Sequence, residues 1–272
     1  MQSSDIAVVC EELVQVYPSA GGPVFALRGV SFDLPRGTLT TVVGPSGAGK
    51  STLLRLLGGL ERPTAGDLVM DGERTALLSG RRRRQLVARH IGHVFQIPRH
   101  NLLGYLTVRQ HISLAWRMRS PAQAMDVEGL AAEMDLTGAF DSKPDDLAVG
   151  EQQRLAFAMA VAGGPTLIVA DEPTASLDPA GASTLIAALQ RLISSGQSLV
   201  IATHDDRLLA LSHQVLVIRG GVLASAGTVG SMASVVDSGG RLALDPEAAS
   251  LFPNGRATVQ RDADRGLWVS RP

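Results

Sequence analysis

The chain has 272 residues, 45% of them apolar, which is enough to bury one large core or two small ones. Its formal net charge of −1 lacks the basic excess that nucleic-acid-binding proteins usually carry, and its single cysteine, Cys10, excludes an internal disulfide and fits a reducing compartment. No basic segment followed by an apolar one opens the chain, and no apolar run approaches the roughly 18 residues of a membrane span. We therefore expect neither a secretory signal nor a membrane-spanning segment.

Two alternating apolar stretches near the start, residues 6–16 and 24–34, predict strands separated by a turn rich in Pro and Gly. Tyr17 lies immediately before that turn. Its ring could stack on a purine base, although a single tyrosine at such a position is also typical of a half-buried strand residue. Both interpretations of Tyr17 stay open at this point.

The most informative segment is Gly44-Pro45-Ser46-Gly47-Ala48-Gly49-Lys50-Ser51, which follows an apolar strand-like run over residues 39–43 and precedes an amphipathic helical stretch. This is the strand–loop–helix context that a phosphate-binding loop requires. The glycines let backbone N–H groups approach an anion, and the positive end of the following helix points to the same place. Lys50 would reach the β- and γ-phosphates of a nucleotide, and Ser51 would ligate Mg²⁺.

A short strand is predicted over residues 66–70 after the loop helix, and from about Arg81 the pattern changes to a mainly helical one. The run Arg81-Arg82-Arg83-Arg84 is typical of a solvated helix face, with a nucleic-acid contact as the alternative. One further strand is predicted over residues 91–96, and Gln96 closes it at the boundary with a helical layer over residues 107–162. The breaks in that layer are predicted near Pro121, Gly138 and Pro144.

Two later strands end in polar residues. The apolar run over residues 167–170 is followed by Asp171 and Glu172, and the run over residues 198–202 is followed by Thr203 and His204. Continuous apolar runs are typical of parallel strands buried on both faces, and ligands bind at the carboxyl ends of such strands. Asp171 can hold the Mg²⁺ shell, Glu172 can polarise a water, and His204 can position that water near a γ-phosphate. An acidic turn without a function is the alternative for the carboxylate pair.

One more segment, residues 147–154, begins a helix that extends to about residue 162. With this segment, six motifs stand in an order that resembles the ATP-binding-cassette (ABC) ATPases over roughly residues 6–228. Within that family, the stretch over residues 95–108 is similar to the ATPases of lipoprotein-releasing and macrolide-exporting permeases. The resemblance implies the cofactors ATP and Mg²⁺ and an ATPase reaction.

The resemblance also implies a role for each motif residue. Tyr17 would stack on adenine, Glu172, His204 and Lys50 would be catalytic, and Ser51, Gln96 and Asp171 would hold Mg²⁺. Asp178 matches the D-loop aspartate, and Ala148, Gly150 and Glu151 occupy the signature segment, which in the family closes ATP bound on a partner subunit. The predicted nucleotide-binding loop consists of Gly44, Pro45, Ser46, Gly47, Ala48, Gly49, Lys50, Ser51 and Thr52.

For the fold, the resemblance implies an α/β P-loop nucleotide-hydrolase core with an antiparallel β edge over residues 1–228 and an inserted helical subdomain at about 97–162. A small C-terminal β-type appendage would occupy residues 229–272. For function, it implies a peripheral subunit on the cytoplasmic face of the cell membrane that powers a separate permease, which would dock on residues 97–115. A soluble ABC ATPase and a catalytically weak regulatory subunit are the alternatives, and no nucleic-acid partner is expected.

The signature segment departs from the family pattern. The usual Leu-Ser-Gly-Gly-Gln/Glu is here Leu147-Ala148-Val149-Gly150-Glu151, so the serine hydroxyl is missing. A hydrogen bond to a charged group contributes roughly 1.5–3 kcal/mol, so its loss would slow or weaken a composite site by about ten- to a hundredfold. Because a homodimer would contain two impaired signatures, a heterodimer with a second ABC ATPase chain is favoured over a homodimer.

The C-terminal part carries no recognisable catalytic motif. A linker of small residues is predicted over residues 225–233, followed by β-type stretches at 235–244, 257–260 and 266–269. Residues 236–248 weakly resemble the strand–turn pattern of swapped-hairpin, transition-state-regulator-type modules. A poorly ordered tail is the alternative.

Overall fold

The computed structural model describes residues 6–70, 72–119 and 126–228, and the backbone of three strands beyond them. The strands are β1 Ile6–Tyr17, β2 Val24–Pro35, β3 Leu39–Val43, β4 Ala65–Met70, β5 Glu73–Arg74, β6 Ile91–Val94, β7 Leu167–Asp171, β8 Leu199–Ala202, β9 Gln214–Arg219, β10 Val222–Thr228, β11 Ser231–Ser234, β12 Thr258–Asp262 and β13 Gly266–Ser270. The helices are α1 Lys50–Leu57, α2 Gly80–His90, α3 Val108–Arg119, α4 Val127–Glu133, α5 Val149–Val161, α6 Pro179–Ser194 and α7 Asp206–Ala210. None of the described helices combines the length and the apolar character that crossing a bilayer would need.

A four-stranded antiparallel sheet, in the order β2-β1-β4-β5, forms the edge of the fold. The pairing of β1 shifts register between Cys10 and Leu13 against β2 and between Glu11 and Val14 against β4, and Glu12 within this stretch has a positive φ of 48°. Gly66 of β4 has a φ of +81°, and a Cβ there would lie 2.1 Å from the carbonyl oxygen of Glu12. The bulge in β1 therefore requires a glycine opposite it.

A seven-stranded sheet forms the centre, in the order β11-β10-β9-β3-β8-β7-β6. The five strands from β9 to β6 are parallel, which confirms the parallel pairing predicted from the apolar runs. Ala202 at the end of β8 is in register with Val42 of β3 on one side and with Asp171 of β7 on the other. The segments that follow these three strands therefore all leave the sheet at the carboxyl ends of its parallel strands.

The core consists of two apolar clusters on opposite faces of the central sheet. Val169 of β7 packs with α1 and the antiparallel sheet, whereas its neighbours Ile168 and Ala170 pack with α3, α5 and α6. This alternation follows from the period of two in a strand, and it explains why the strand is apolar throughout. The fold class predicted from the sequence is confirmed.

Helices α3, α4 and α5 form the helical layer, which contacts β6 through α5. Arg119, the last residue of α3, donates hydrogen bonds to the carbonyl oxygens of Met159 and Ala162 at the end of α5 and of Ile91 at the start of β6, at 2.7–2.9 Å. A cation at a helix C-terminus is favourable because the carbonyl groups there carry partial negative charge. Burial nevertheless lowers the pKa of this guanidinium. Arg119 thus joins the helical layer to the sheet.

Two details of the sequence prediction are wrong. Strand β6 ends at Val94 rather than at Gln96, because the N–H of Phe95 donates to the side chain of Asn101 (2.9 Å) instead of to a strand. The linker predicted over residues 225–233 is instead a hairpin in its described part, since β10 pairs with β11 from Ser225↔Ser234 to Thr228↔Ser231. The predicted domain boundary at residue 228 lies inside this hairpin, and the division into domains stays a prediction.

The C-terminal stretches predicted at residues 257–260 and 266–269 correspond to β12 and β13, which pair with each other as a separate two-stranded antiparallel sheet. The stretch predicted at residues 235–244, the resemblance over residues 236–248 and the helix break at Pro121 lie outside the described residues. The run Arg81-Arg82-Arg83-Arg84 begins α2, where two of its members are used within the chain. Arg82 pairs with Glu73 (2.8 Å), and Arg83 donates to the carbonyl oxygens of Gly59 and Glu61.

Candidate active site

The loop between β3 and α1 is closely confined by neighbouring backbone. Gly44 and Gly49 have φ values of +151° and +107°, and a Cβ on them would lie 2.1 Å from the carbonyl oxygen of Ile218 and 2.5 Å from that of Ala26, respectively. Gly47, with a φ of +75°, has no atom within 4 Å of the position of a Cβ. The loop thus needs glycine for its close contacts at both ends and for backbone conformation in its middle.

The start of α1 is built to accept an anion. Gly49 caps the helix without a side-chain hydrogen bond, and the first turn contains no acidic residue, so its N–H groups are not neutralised by the protein. Lys50 folds its ammonium group back onto the loop, where Nζ donates to the carbonyl oxygens of Gly44 (2.6 Å) and Pro45 (3.2 Å). Positive charge is therefore held where the phosphates of a nucleotide would bind.

The three residues predicted to hold Mg²⁺ line one cavity of about 460 Å³. Ser51 enters it from α1, Asp171 from the end of β7, and Gln96 from the turn after β6. Their hydroxyl, carboxylate and amide oxygens are the donor types that Mg²⁺ prefers, so the residues fit this ion. Arg55, His93 and His100 also line the cavity and were not predicted from the sequence.

Glu172 and His204 face each other beside this cavity. Their side chains approach to 3.5 Å between Oε1 and Nε2, and Glu172 Oε2 also accepts a hydrogen bond from the backbone N–H of His204 (3.3 Å). The carboxylate is 18% exposed and the imidazole 63% exposed. Glu172 has a φ of +44°, a strained backbone conformation that is held by the bond from its N–H to the carbonyl oxygen of Ala202 (2.8 Å).

The segment after His204 is fixed by a second pair of charges. Asp205 caps α7 by accepting from the N–H of Arg207 (3.0 Å), and its carboxylate also binds the Arg207 guanidinium at 2.7 and 2.9 Å. This side-chain hydrogen bond is the main cause of the lowered pKa of Asp205. Asp205 stays ionised, which keeps the turn that carries His204 in place.

The signature segment forms the N-terminus of α5. Ala148 is the N-cap residue, and its N–H donates to Glu151 Oε2 at 2.8 Å, but it has no side-chain oxygen to accept a bond in return. Val149, the first helical residue, is 48% exposed. The N–H groups at this helix end therefore lack a side-chain cap, and an exposed apolar side chain lies next to them.

Asp178 is the N-cap residue of α6, and its Oδ1 accepts from the N–H of Gly181 at 2.8 Å. A Cβ on Gly150 would lie 3.9 Å from the Cα of Gly181, so the starts of α5 and α6 are neighbours. Neither the signature residues nor Asp178 is among the residues lining the cavity that contains Ser51, Gln96 and Asp171. Within one chain, the structure therefore separates the predicted site residues into a phosphate-loop group and a signature group.

Tyr17 ends β1 next to the phosphate loop. Its hydroxyl donates to Glu61 Oε2 at 2.5 Å and interacts with the Thr52 hydroxyl. Burial and the bond to Glu61 raise the pKa of Tyr17, so the phenol remains a hydrogen-bond donor. Glu61 also pairs with Arg55 (2.5 Å), a contact that was not predicted from the sequence because neither residue belongs to a recognisable motif.

These features define a phosphate-loop nucleotide hydrolase with a mainly parallel central sheet. The family model described as "ABC transporter" matches residues 27–175, and the chain belongs to this family. It is an ATP-binding and ATP-hydrolysing subunit of an ABC transporter, as the sequence resemblance predicted. ATPases of this family work with membrane permeases and dimerise.

The relatives include both separate ATPase subunits and longer proteins. The chain is 36% identical to the lipoprotein-releasing system ATP-binding protein LolD of Porphyromonas gingivalis, over 75% of this chain and 94% of that protein. It is 33% identical to the macrolide export ATP-binding/permease protein MacB of Campylobacter jejuni, over 73% of this chain but only 31% of that protein. Among solved structures, the dimeric ATP-binding cassette MJ0796 with bound ADP and phosphate superimposes with a TM-score of 0.74 at 27% identity, covering 82% of this chain and 98% of that one.

Proposed function

We propose that this chain hydrolyses ATP with Glu172 as the general base and His204 as the group that positions the attacking water. The observation that carries the proposal is the contact of 3.5 Å between these side chains at the edge of the sheet where the phosphate loop also leaves β3. Glu172 accepts a proton from the water, and His204 donates a hydrogen bond to the γ-phosphate. The strained φ of Glu172 aims its carboxylate at this point.

The phosphates would be held by the loop N–H groups and by Lys50, whose ammonium leaves the carbonyl oxygens of Gly44 and Pro45 to reach them. Ser51, Gln96 and Asp171 would hold Mg²⁺, which supplies positive charge to the phosphate oxygens when it is bound. Gln96 lies in the turn between the sheet and the helical layer, so its side chain would sense the presence of this ion.

The decisive test is the Glu172→Gln variant, which keeps the size of the side chain and removes its basicity. We expect ATP binding within about threefold of the unmodified protein, turnover lower by two or more orders of magnitude, and accumulation of an ATP-bound dimer on size-exclusion chromatography. Unchanged turnover would remove Glu172 from the role of general base. Lys50→Ala is the contrasting variant, because it should weaken ATP binding itself.

We further propose that the chain acts at the cytoplasmic face of the membrane and couples to a permease through the predicted surface over residues 97–115. A groove of about 300 Å³ supports this, with lining from Phe95, Asn101, Leu114 and Met118. Met118 is an exposed apolar side chain in this groove, and Ile97 and Tyr105 are exposed apolar side chains within the predicted surface. Such a patch on a helical layer suits the apolar face of a short helix.

The groove is connected to the nucleotide site by the turn that contains Gln96. Asn101 accepts from the N–H of Phe95 (2.9 Å) and donates to the carbonyl oxygen of Pro98 (3.1 Å), which holds this turn in one shape. A displacement of Gln96 would therefore move the groove as well. The proposal predicts that a photo-crosslinker at Leu103 or Tyr105 captures the permease subunit, while one at Ser183, on the exposed face of α6, does not.

For the oligomer, we propose a heterodimer in which this chain's phosphate loop faces the signature of a different ABC ATPase chain. The absent hydroxyl at Ala148 and the exposed Val149 support this arrangement, because they impair only the site that this chain closes for its partner. Native mass spectrometry of the purified transporter would report two ATPase masses. A single mass with ordinary turnover would contradict the heterodimer, and low turnover of the whole complex would favour the weak regulatory subunit instead.

A further inference from the structure

The turn that follows α1 is rigidly attached to its surroundings. The N–H groups of Gly58, Gly59 and Leu60 donate to carbonyl oxygens of the last turn of α1, at 2.7–2.9 Å. Arg83 of α2 donates to the carbonyl oxygens of Gly59 (3.0 Å) and Glu61 (3.2 Å) from the other side. The backbone that carries Glu61 is therefore fixed relative to the helix that begins at the phosphate loop.

The same turn is also joined to β1. The N–H of Thr64 donates to the carbonyl oxygen of Val14 (2.8 Å) and the N–H of Val16 donates to the Thr64 hydroxyl (3.1 Å). These bonds place Glu61 beside Tyr17, the last residue of β1. As a result, hydrogen bonds hold the backbone on both sides of the contact between the Glu61 carboxylate and the Tyr17 phenol.

The Glu61 carboxylate uses one oxygen for each of two partners. Its Oε2 accepts from the Tyr17 hydroxyl at 2.5 Å, and its Oε1 pairs with the Arg55 guanidinium at 2.5 Å. The carboxylate is only 18% exposed, whereas Arg55 is 56% exposed. Because the bond from the phenol is charge-assisted, it is stronger than a bond between neutral groups. Tyr17 is thereby held at the tip of its ring.

The bond directs the long axis of the ring toward Glu61, and because a phenolic O–H prefers to lie in the ring plane, its direction also restricts rotation of the ring about that axis. A ring that is already fixed in the free protein loses little further conformational entropy when a base stacks on it. Arg55, which holds Glu61, lies in the last turn of α1, and Lys50, Ser51 and Thr52 lie in its first turn. One short helix thus sets the positions of both the phosphate-binding groups and the aromatic ring.

We propose that Glu61, supported by Arg55, is a positioning residue that orients Tyr17 for stacking on the adenine base, an inference that rests on the proposed role of Tyr17 in ATP binding. Glu61 itself does not contact the nucleotide. Its effect is limited to the part of the binding free energy that depends on the base. Binding of the phosphate chain, which depends on the loop and Lys50, is independent of it.

The experiment compares two probes on the full chain in the presence of Mg²⁺, namely ATP and inorganic tripolyphosphate, which has the phosphate chain but no base. Affinities for both are measured by calorimetry for the unmodified protein and for Glu61→Ala, Glu61→Gln and Tyr17→Phe. Glu61→Ala should weaken ATP binding about three- to tenfold and leave tripolyphosphate binding within about twofold. Tyr17→Phe, which removes the other half of the bond, should have the same effect as Glu61→Ala.

Two further comparisons separate positioning from general stability. Combining Glu61→Ala with Tyr17→Phe should lower the ATP affinity no more than either change alone, because both changes remove the same bond. Glu61→Gln keeps an oxygen that accepts from the phenol but loses the charge toward Arg55, so its ATP affinity should lie between those of the unmodified protein and Glu61→Ala. The matched control is Glu73→Ala, which removes a carboxylate–arginine pair elsewhere in the chain and should change neither affinity.

Equal losses for ATP and tripolyphosphate in Glu61→Ala would overturn the inference, because Glu61 would then support the phosphate loop rather than the base. Unchanged ATP affinity would also overturn it. A failure of the proposed function gives a different result, since Lys50→Ala would then leave ATP affinity unaffected. If the unmodified protein hydrolyses ATP but binds tripolyphosphate as tightly as ATP, this result contradicts only the stacking role of Tyr17.

Discussion

The phosphate-loop group and the signature group of this chain differ in what their side chains contact. At the phosphate loop, residues from α1, from β6 and the turn after it, and from the end of β7 line one cavity, and Glu172 contacts His204 directly. At the signature, the polar groups are used within their own helices, since Glu151 bonds the N-cap of α5 and Asp178 caps α6. The first group is assembled by the chain itself, whereas the second presents a helix end that would face another subunit in the proposed dimer.

The difference follows from how each group is built. Pairing of parallel strands brings segments that are distant in sequence to the same end of the sheet, so Ser51, Asp171 and His204 all lie near the carboxyl ends of the strands. A helix N-terminus needs only local capping, so the signature can lose its hydroxyl at Ala148 without disturbing the fold. A chain with this construction can retain a full set of predicted catalytic residues while its signature weakens.

The largest effect is expected from Gly49→Ala, which tests how strictly the phosphate-loop group depends on its backbone. The new Cβ would lie 2.5 Å from the carbonyl oxygen of Ala26 at a φ of +107°, so the loop must shift and lose its N–H geometry. We expect ATP affinity to fall at least about 100-fold. Gly138→Ala is the control, since a Cβ there meets nothing within 4 Å. Affinity that survives Gly49→Ala would show that the confined loop is not the nucleotide site.

A smaller effect is expected from His204→Ala, which removes one side of the contact with Glu172. Turnover should fall about ten- to a hundredfold, while the KM for ATP changes less than about threefold, because the lost interaction forms with the reacting groups. Steady-state ATPase kinetics measure both values. Asp206→Asn is the matched control, since it changes an exposed charge two residues away. Equal changes in turnover and KM would place His204 in ATP binding instead.

Acid should destabilise the surroundings of the phosphate-loop cavity and the helical layer through two histidines, the partly buried His93 and the buried His111. Burial, with a smaller contribution from Arg55, lowers the pKa of His93 to about 4, and burial also lowers the pKa of His111. Between the usual pKa of 6.5 and these lowered values, the unfolded chain binds more protons than the folded one, so stability falls as the pH is lowered through this window. We expect a loss on the order of 1–3 kcal/mol between pH 7 and pH 4.5, measured by urea unfolding.

Two substitutions separate the regions in that experiment. His93→Phe should flatten the pH dependence that originates beside the phosphate-loop cavity, where the imidazole packs on Phe95. His111→Asn should act in the helical layer, where Nε2 accepts from the N–H of Leu103 (2.8 Å). Protonation of Nε2 would place two N–H donors, its own and that of Leu103, against each other. His100→Gln, at an exposed position, is the control. A pH dependence that survives both substitutions would assign it to the carboxylates.

The sequence was most informative where function depends on short segments in a fixed context. The loop over residues 44–51 and the pair Asp171–Glu172 could be located because apolar runs mark the strands that precede them. The bond between Tyr17 and Glu61 could not, because the two residues are 44 positions apart and no periodicity relates them. The hairpin of β10 and β11 was also missed, because its small residues resemble a linker. These residues form strands only because the backbone of β10 pairs with β9 on one side and with β11 on the other.

The smallest effect is expected from Ala148→Ser, which restores the missing hydroxyl of the signature. A serine N-cap should stabilise the chain by about 1 kcal/mol, and Ser79, which caps α2 by accepting from the N–H of Arg82 (3.3 Å), provides the reverse control through Ser79→Ala. In the proposed heterodimer, turnover at this chain's own phosphate loop should stay unchanged, because the restored hydroxyl faces the other nucleotide. In a homodimer, both sites gain a donor, and turnover should rise up to about tenfold. ATPase assays of the transporter with Glu172→Gln in one chain at a time distinguish the two sites. If the transporter is a homodimer and Ala148→Ser leaves its turnover unchanged, a functional asymmetry based on the signature is ruled out.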